Sequence, residues 1–159
     1  MALEKVRAYF GSFGMGERVL TFEVSSATVE LAALAVGVEG ARIAKTLSFK
    51  VDGGCALIVT AGDAKIDNSK FKAFFHTKAV MPGPEEVLAM TGHAVGGVCP
   101  FAIPAGIPVY LDVSLQRFDM VYPACGSGNS AIGLTLAELF QHAGAKAWID
   151  VCKGWREEG

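Results

Sequence analysis

The stretch from Ile43 to Thr60 constrains this chain more than any other. Ile43-Ala44-Lys45-Thr46-Leu47-Ser48-Phe49-Lys50-Val51 alternates apolar with small or polar residues, the period-two signature of a half-buried strand. Asp52-Gly53 follows, and then Cys55-Ala56-Leu57-Ile58-Val59-Thr60. Asp-Gly between two such runs predicts a tight β-hairpin. The second run is apolar on both faces, so it belongs in the interior of a sheet covered above and below.

Lys45 is out of place in that pattern. Ile43, Leu47, Phe49 and Val51 define the inward face and Lys45 shares their parity, whereas Lys50 lies on the opposite one and reads as a solvent lysine. An ammonium on the inward face snorkels, finds a buried partner, or holds a ligand anion. Parity alone leaves these alternatives open.

Elements of both kinds surround the hairpin. A short helix is predicted over Val6–Phe13, a strand around Leu20–Val24, and a helix over 29–36 entered through Ser25-Ser26-Ala27-Thr28 and closed by Gly37. Asp67 or Asn68 caps a helix carrying Phe71, Phe74 and Phe75. Pro84 suits the first turn of a helix that reaches Met90 and closes at Gly92. Strands follow at Val109–Asp112 and Met120–Ala124, with a helical turn from Ser114 to Phe118 between them. Ala131–Leu134 is extended, Thr135-Leu136-Ala137-Glu138 is a capping box that opens a helix to His142, and Ala147–Val151 is a last strand. Hairpins mixed with short crossovers predict one compact α+β domain over residues 1–159, with a mixed, mostly antiparallel sheet flanked by helices. No repeat, low-complexity tract or linker divides it, and the tail from Lys153 is expected to be loose.

Composition narrows the function. A hydrophobic fraction of 52% and a mean hydropathy of +0.39 suit a filled globule, yet no apolar run approaches the ~20 residues of a membrane span. The N-terminus lacks the features of a signal peptide, so a cytoplasmic protein without membrane contact is expected. Cys55, Cys99, Cys125 and Cys152 form no C-x-x-C pair, and His76, His93 and His142 lack metal-ligand spacing, so neither metal nor cofactor is expected. A net charge of −2 argues against non-specific nucleic-acid binding, DNA included, but permits a local anion site. Basic residues gather at Lys65, Lys70, Lys72 and Lys78 and read as a solvated helix face.

Three segments are candidates for chemistry, although each taken alone is equally consistent with a tight turn: Ala44-Lys45-Thr46, Gly92 to Phe101, and Pro123 to Asn129. Glycines let backbone approach a ligand and aim N–H groups at an oxyanion, while Pro100, Pro104 and Pro108 stiffen the second loop. Gly126-Ser127-Gly128 lacks dinucleotide-fingerprint spacing, and no P-loop or nucleophile elbow occurs.

Ile43-Ala44-Lys45-Thr46-Leu47 with its hairpin, then Gly92-x-x-x-Gly96-Gly97-Val98-Cys99-Pro100-Phe101, then Cys125-Gly126-Ser127-Gly128-Asn129 resemble the YbaK/EbsC family. This is the aminoacyl-tRNA deacylase domain that also occurs inserted in bacterial prolyl-tRNA synthetases. The resemblance covers about residues 20–152. It implies a trans-editing deacylase that hydrolyses the ester of a mischarged tRNA, a small amino acid on tRNA(Pro), with a synthetase as a possible further partner. It implies Lys45 as the catalytic group, anchoring the acceptor end or orienting the ester. Thr46, Gly96, Gly97, Val98, Cys99, Pro100 and Phe101 would bind substrate, with Gly126, Ser127 and Gly128 bringing backbone N–H groups to the carbonyl. Ala102 stands where many relatives carry glycine, and as a residue bordering the pocket it bears on amino-acid specificity. The alternatives are a non-catalytic tRNA-end or nucleotide-binding module and a hydrolase of small esters.

Overall fold

The computed structural model describes residues 2–156. Its scaffold is the predicted hairpin. β2 (Ile43–Val51) and β3 (Gly54–Ala61) pair antiparallel from Ala44 opposite Ala61 to Val51 opposite Gly54. Asp52 and Gly53 close the turn at φ 51° and 78°, the two left-handed residues that a two-residue hairpin of this twist demands. Around the hairpin a sheet of six strands runs β8-β6-β2-β3-β5-β9. Here β5 is Val109–Asp112, β6 Met120–Pro123, β8 Leu134–Thr135 and β9 Ala147–Ile149. The β2–β3 and β6–β8 pairs are antiparallel, while β2–β6, β3–β5 and β5–β9 are parallel. Two antiparallel ribbons stand beside this sheet: β1 (Val19–Thr21) with β7 (Ser130–Ile132), and β4 (Lys65–Ile66) with β10 (Cys152–Lys153). Three of the five pairings in this sheet are parallel, but antiparallel pairing leads narrowly by length, with ten residue pairs against eight, eight of the ten from the hairpin. As its sequence predicts, β3 is interior: Ala56, Leu57, Ile58, Val59 and Ala61 are all fully buried.

Five helices pack on this frame: α1 (Ala2–Gly11), α2 (Val29–Val36), α3 (Asn68–Phe75), α4 (Pro84–Thr91) and α5 (Leu136–His142). Their ends follow local rules. Thr28 accepts the Leu31 amide at the start of α2, and Gly37 ends that helix at φ 85°. Asp67 caps α3 by accepting the Ser69 and Lys70 amides. Thr135 and Glu138 form the reciprocal capping box of α5. α1 begins earlier than the predicted Val6 and stops at Gly11. It inserts Val6 and Phe10, one turn apart, into the core, where the Phe10 ring meets Phe101 edge-on at 4.8 Å. On α3, Phe71 packs against Phe49 of β2 at 4.8 Å between ring centroids.

The predicted last strand stops at Ile149, and a further short strand, Cys152–Lys153, forms where the tail was expected to become loose. After β9 the Val151 amide donates to Asp112 Oδ1 at 3.0 Å, and the Val151 carbonyl accepts the Asp67 amide at 2.8 Å. These contacts take the chain off the edge of the main sheet and lay it against β4. The extended segment at Ala131–Leu134 divides at Gly133, where a side chain would strike the Tyr122 ring.

Candidate functional site

The two edges of β2 have different fates. One pairs with β3 from Ala44 to Val51. The other pairs with β6 only at Ile43 and Ala44, and the Lys50 amide then donates to the Val80 carbonyl at 2.8 Å. Residues 44, 46, 48 and 50 share the parity of that amide, so the main-chain groups of Thr46 and Ser48 point out of this interrupted edge. A cavity of about 330 Å³ opens at the gap. Its walls are β2 from Ile43 to Ser48, the entry and first turns of α2 (Ser26–Val29 and Ala32), and Met81, Pro82, Pro84 and Val87 leading into α4. Val95, Gly96 and Val98 of the second loop, Tyr122, Ala124, Ser130 and Ala131 complete them. The volume lies at the lower end of the roughly 300–1,000 Å³ of small-ligand pockets. Among the described lining residues Lys45 is the one charged side chain.

Lys45 is half-buried and its ammonium donates to the Ala64 carbonyl. Burial pushes its pKa below the ordinary lysine value, and Lys65 adds to the depression. Cys152, Asp63 and Glu30 oppose it. The lysine has therefore found a main-chain partner at the cavity without being neutralised by a contacting carboxylate. Thr46 Oγ1 and Ser26 Oγ, both on cavity-lining residues, are buried with no hydrogen-bond partner among the described residues.

The second and third loops divide between wall and support. Gly96 and Val98 line the cavity. Gly97 sits against the third loop so tightly that a Cβ would lie 2.5 Å from the Ser127 nitrogen. Cys99 and Phe101 are fully buried and Pro100 is buried. His93, also buried, donates from Nε2 to the Phe101 carbonyl at 2.8 Å, and the Cys99 Sγ lies 3.5 Å from the same nitrogen. This clasp folds the loop back on itself. Burial pushes the Cys99 thiol up to about 12 and raises Cys125 as well, so both stay protonated and inert.

In the third loop, Gly126 packs on the start of α1, where a Cβ would lie 2.9 Å from the Ala2 carbonyl carbon. The Gly128 carbonyl accepts the Ser26 amide at 2.7 Å. The Ser127 hydroxyl lies 2.8 Å from Asn129 Oδ1 and 2.9 Å from Ser130 Oγ, and Asn129 Nδ2 donates to the Phe22 carbonyl. Lys45, Thr46, Gly96 and Val98 are thus brought to one cavity. Gly97, Cys99, Pro100, Phe101, Gly126, Ser127 and Gly128 stand behind its wall. Ala102 does not line the cavity either; it adopts φ 53°, a conformation that glycine takes at little cost.

Sequence reasoning did not find the contribution of residues 81–87. Its nearest signal is Lys50, whose exposed side chain pairs with Glu86 of α4 at 3.2 Å. His93 lacks metal-ligand spacing and serves the clasp instead, with Cys99, six residues further on, as the cue in the sequence.

The profile of the aminoacyl-tRNA editing domain matches residues 23–141, and the chain belongs to that family. It is 55% identical over 156 residues to the uncharacterized protein YwhH of Bacillus subtilis, covering 98% of this chain and 99% of that one. It is 33% identical to a proline–tRNA ligase of Desulfovibrio desulfuricans across 77% of this chain, a stretch amounting to 21% of the ligase. A crystal structure described as a proposed trans-editing enzyme for prolyl tRNA synthetase superposes with a TM-score of 0.86 at 30% identity, covering 96% of this chain and 98% of that one. No helix among the described residues is long and apolar enough to cross a membrane.

Proposed function

We propose that this protein is a trans-acting aminoacyl-tRNA deacylase that removes a small, misattached amino acid from tRNA(Pro). The observation carrying the proposal is that Lys45 is the single charged side chain among the described residues of an otherwise neutral cavity, in a chain of the editing family. In this reading the cavity takes the amino-acid side chain among Ala32, Val87 and Val98, and the open edge of β2 at Thr46 and Ser48 offers main-chain groups to the aminoacyl backbone. The Lys45 ammonium anchors the phosphate or ester of the 3′-terminal adenosine. Gly97 and Gly126–Gly128 contribute by holding the loop carrying Gly96 and Val98 in place.

The chemistry asked of the protein is modest. Water adds to the ester carbonyl, the acyl C–O bond breaks, and the proton passes to the departing ribose oxygen, leaving free amino acid and intact tRNA. Because no carboxylate, imidazole or thiol lines the cavity among the described residues, orientation and electrostatic stabilisation by Lys45 carry the rate. The ribose hydroxyl beside the ester is the nearest group to relay the proton. That same composition favours one second reading, a module that binds a charged tRNA end without cleaving it.

The test is a deacylation panel with purified protein and Ala-, Cys-, Ser- and Pro-tRNA(Pro). Selective loss of one mischarged species supports the proposal and names its substrate. Tight binding with no turnover on any of the four moves the function to the binding module.

A further inference from the structure

The clustered lysines of the sequence include a pair whose placement is costly. Lys65 and Lys153 stand directly opposite each other on the antiparallel β4–β10 ribbon, and both are exposed. The adjoining pair, Ile66 and Cys152, carries a fully buried cysteine, so the lysines share the outward face. Directly opposed residues have Cβ atoms about 5 Å apart, and like charges at that spacing destabilise a ribbon.

Nearby carboxylates offer little relief: Asp67 feels the Lys153 charge but makes no ion pair with it among the described residues. Asp63 is held by Arg117, Asp67 by the Ser69 and Lys70 amides, and Asp150 by Lys70 and Arg156. Neither Lys65 nor Lys153 makes an ion pair among the described residues. The ribbon is also continuous with the cavity, because the Lys45 ammonium is hydrogen-bonded to the carbonyl of Ala64, the residue before Lys65. Lys45 feels the charge of Lys65, and Lys65 faces Lys153 across the ribbon, so the three cations follow one another from a cavity-lining residue to the exposed ribbon of a protein whose net charge is −2.

We propose that the β4–β10 ribbon is the docking surface for the sugar–phosphate backbone of the RNA acceptor stem, with Lys65 and Lys153 each neutralising a phosphate while the 3′ end enters past Lys45. This rests on the editing reading above and adds where the stem lies. Binding there relieves a repulsion that the free protein bears, and it localises RNA affinity to one strip of an acidic molecule.

The experiment compares the wild type with the double variant Lys65→Gln/Lys153→Gln, using a tRNA(Pro) acceptor-stem minihelix titrated at several salt concentrations. Each lost phosphate contact makes the slope of log K against log salt shallower by about one and weakens binding roughly tenfold at 0.1 M salt. The thermal midpoint of the double variant should be unchanged or higher, because a like-charge pair has been removed. Hydrolysis of an aminoacyl-adenosine ester, which lacks a stem, should match the wild type. The matched control Lys72→Gln/Lys78→Gln should leave the slope within a few tenths of the wild-type value.

Wild-type slope and affinity in the Lys65/Lys153 variant, an equal loss in the control, or a parallel loss on the stemless ester would each overturn the ribbon assignment. In all three the editing reading stands if the wild type still deacylates. A wild type that neither binds the minihelix nor cleaves any charged tRNA removes both.

Discussion

Replacing Lys45 by methionine separates the two jobs its ammonium does in the folded chain. Methionine keeps much of the apolar stem while deleting the charge and the hydrogen bond to the Ala64 carbonyl. That hydrogen bond, with a charged donor, is worth about 1.5–3 kcal/mol. Against it stands the desolvation that depresses the Lys45 pKa. A lysine whose folded pKa is lowered costs stability while it is protonated, and the cost fades as pH rises through that pKa towards the unfolded value. At neutral pH the variant sheds the cost and loses the bond, so the net change in stability should fall within about 1 kcal/mol.

Activity behaves differently, because nothing else charged among the described residues faces the cavity. Losing a preorganised electrostatic contact of roughly 3 kcal/mol lowers kcat/KM about a hundredfold. The assay is single-turnover deacylation of the species identified by the panel, beside a thermal melt. The wild-type kcat/KM should also decline with rising pH below the ordinary lysine range, a limb absent from the methionine variant. Rates within threefold of wild type, or a melt lowered enough to explain the loss, would refute the reasoning.

Three further outcomes are expected. Ala102→Gly should raise stability by about 1 kcal/mol, or roughly 3 °C in the melting midpoint, since Ala102 holds φ 53°; a lower midpoint would show that the alanine methyl contributes more than the strain costs. Cys99→Ala should retain full kcat and lose about 1–2 kcal/mol of stability, as befits a buried packing residue, and loss of turnover in a normally folded variant would argue for a chemical role. Arg18 holds the Glu138 carboxyl down at about 2, so the stability it contributes is present above the unfolded carboxylate range and lost as pH falls towards about 2. The pair is partly exposed, which limits its contribution to below about 1 kcal/mol; Arg18→Ala should therefore lower the melting midpoint at pH 8 by up to about 3 °C, a difference from wild type that shrinks as pH falls towards about 2.

Sequence alone determined whatever depends on neighbours a few residues apart. Asp52-Gly53 set the hairpin because two left-handed residues close it, and the alternation on either side admits one register without turning apolar groups to water. Thr28 with Gly37, Asp67, and Thr135 with Glu138 marked three helices because capping is satisfied within a single turn. The resemblance on the Lys45 strand and the two glycine loops was legible for the same reason, being carried by short segments. Tertiary structure decided which of those residues meet. The cavity exists because β6 stops pairing with β2 after Ala44 while Val80 captures the Lys50 amide, so its far wall comes from residues 81–87. Glycines in the second and third loops suggest a ligand cradle, yet Gly97 serves contact with Ser127 and Gly126 contact with α1, because close approach to backbone and close approach to ligand leave the same mark in sequence. The break between β9 and β10 hangs on Asp112, thirty-nine residues before Val151. Only that break lays Lys153 against Lys65, since side chains so distant along the chain become neighbours through the pairing of strands and not through any pattern local to either.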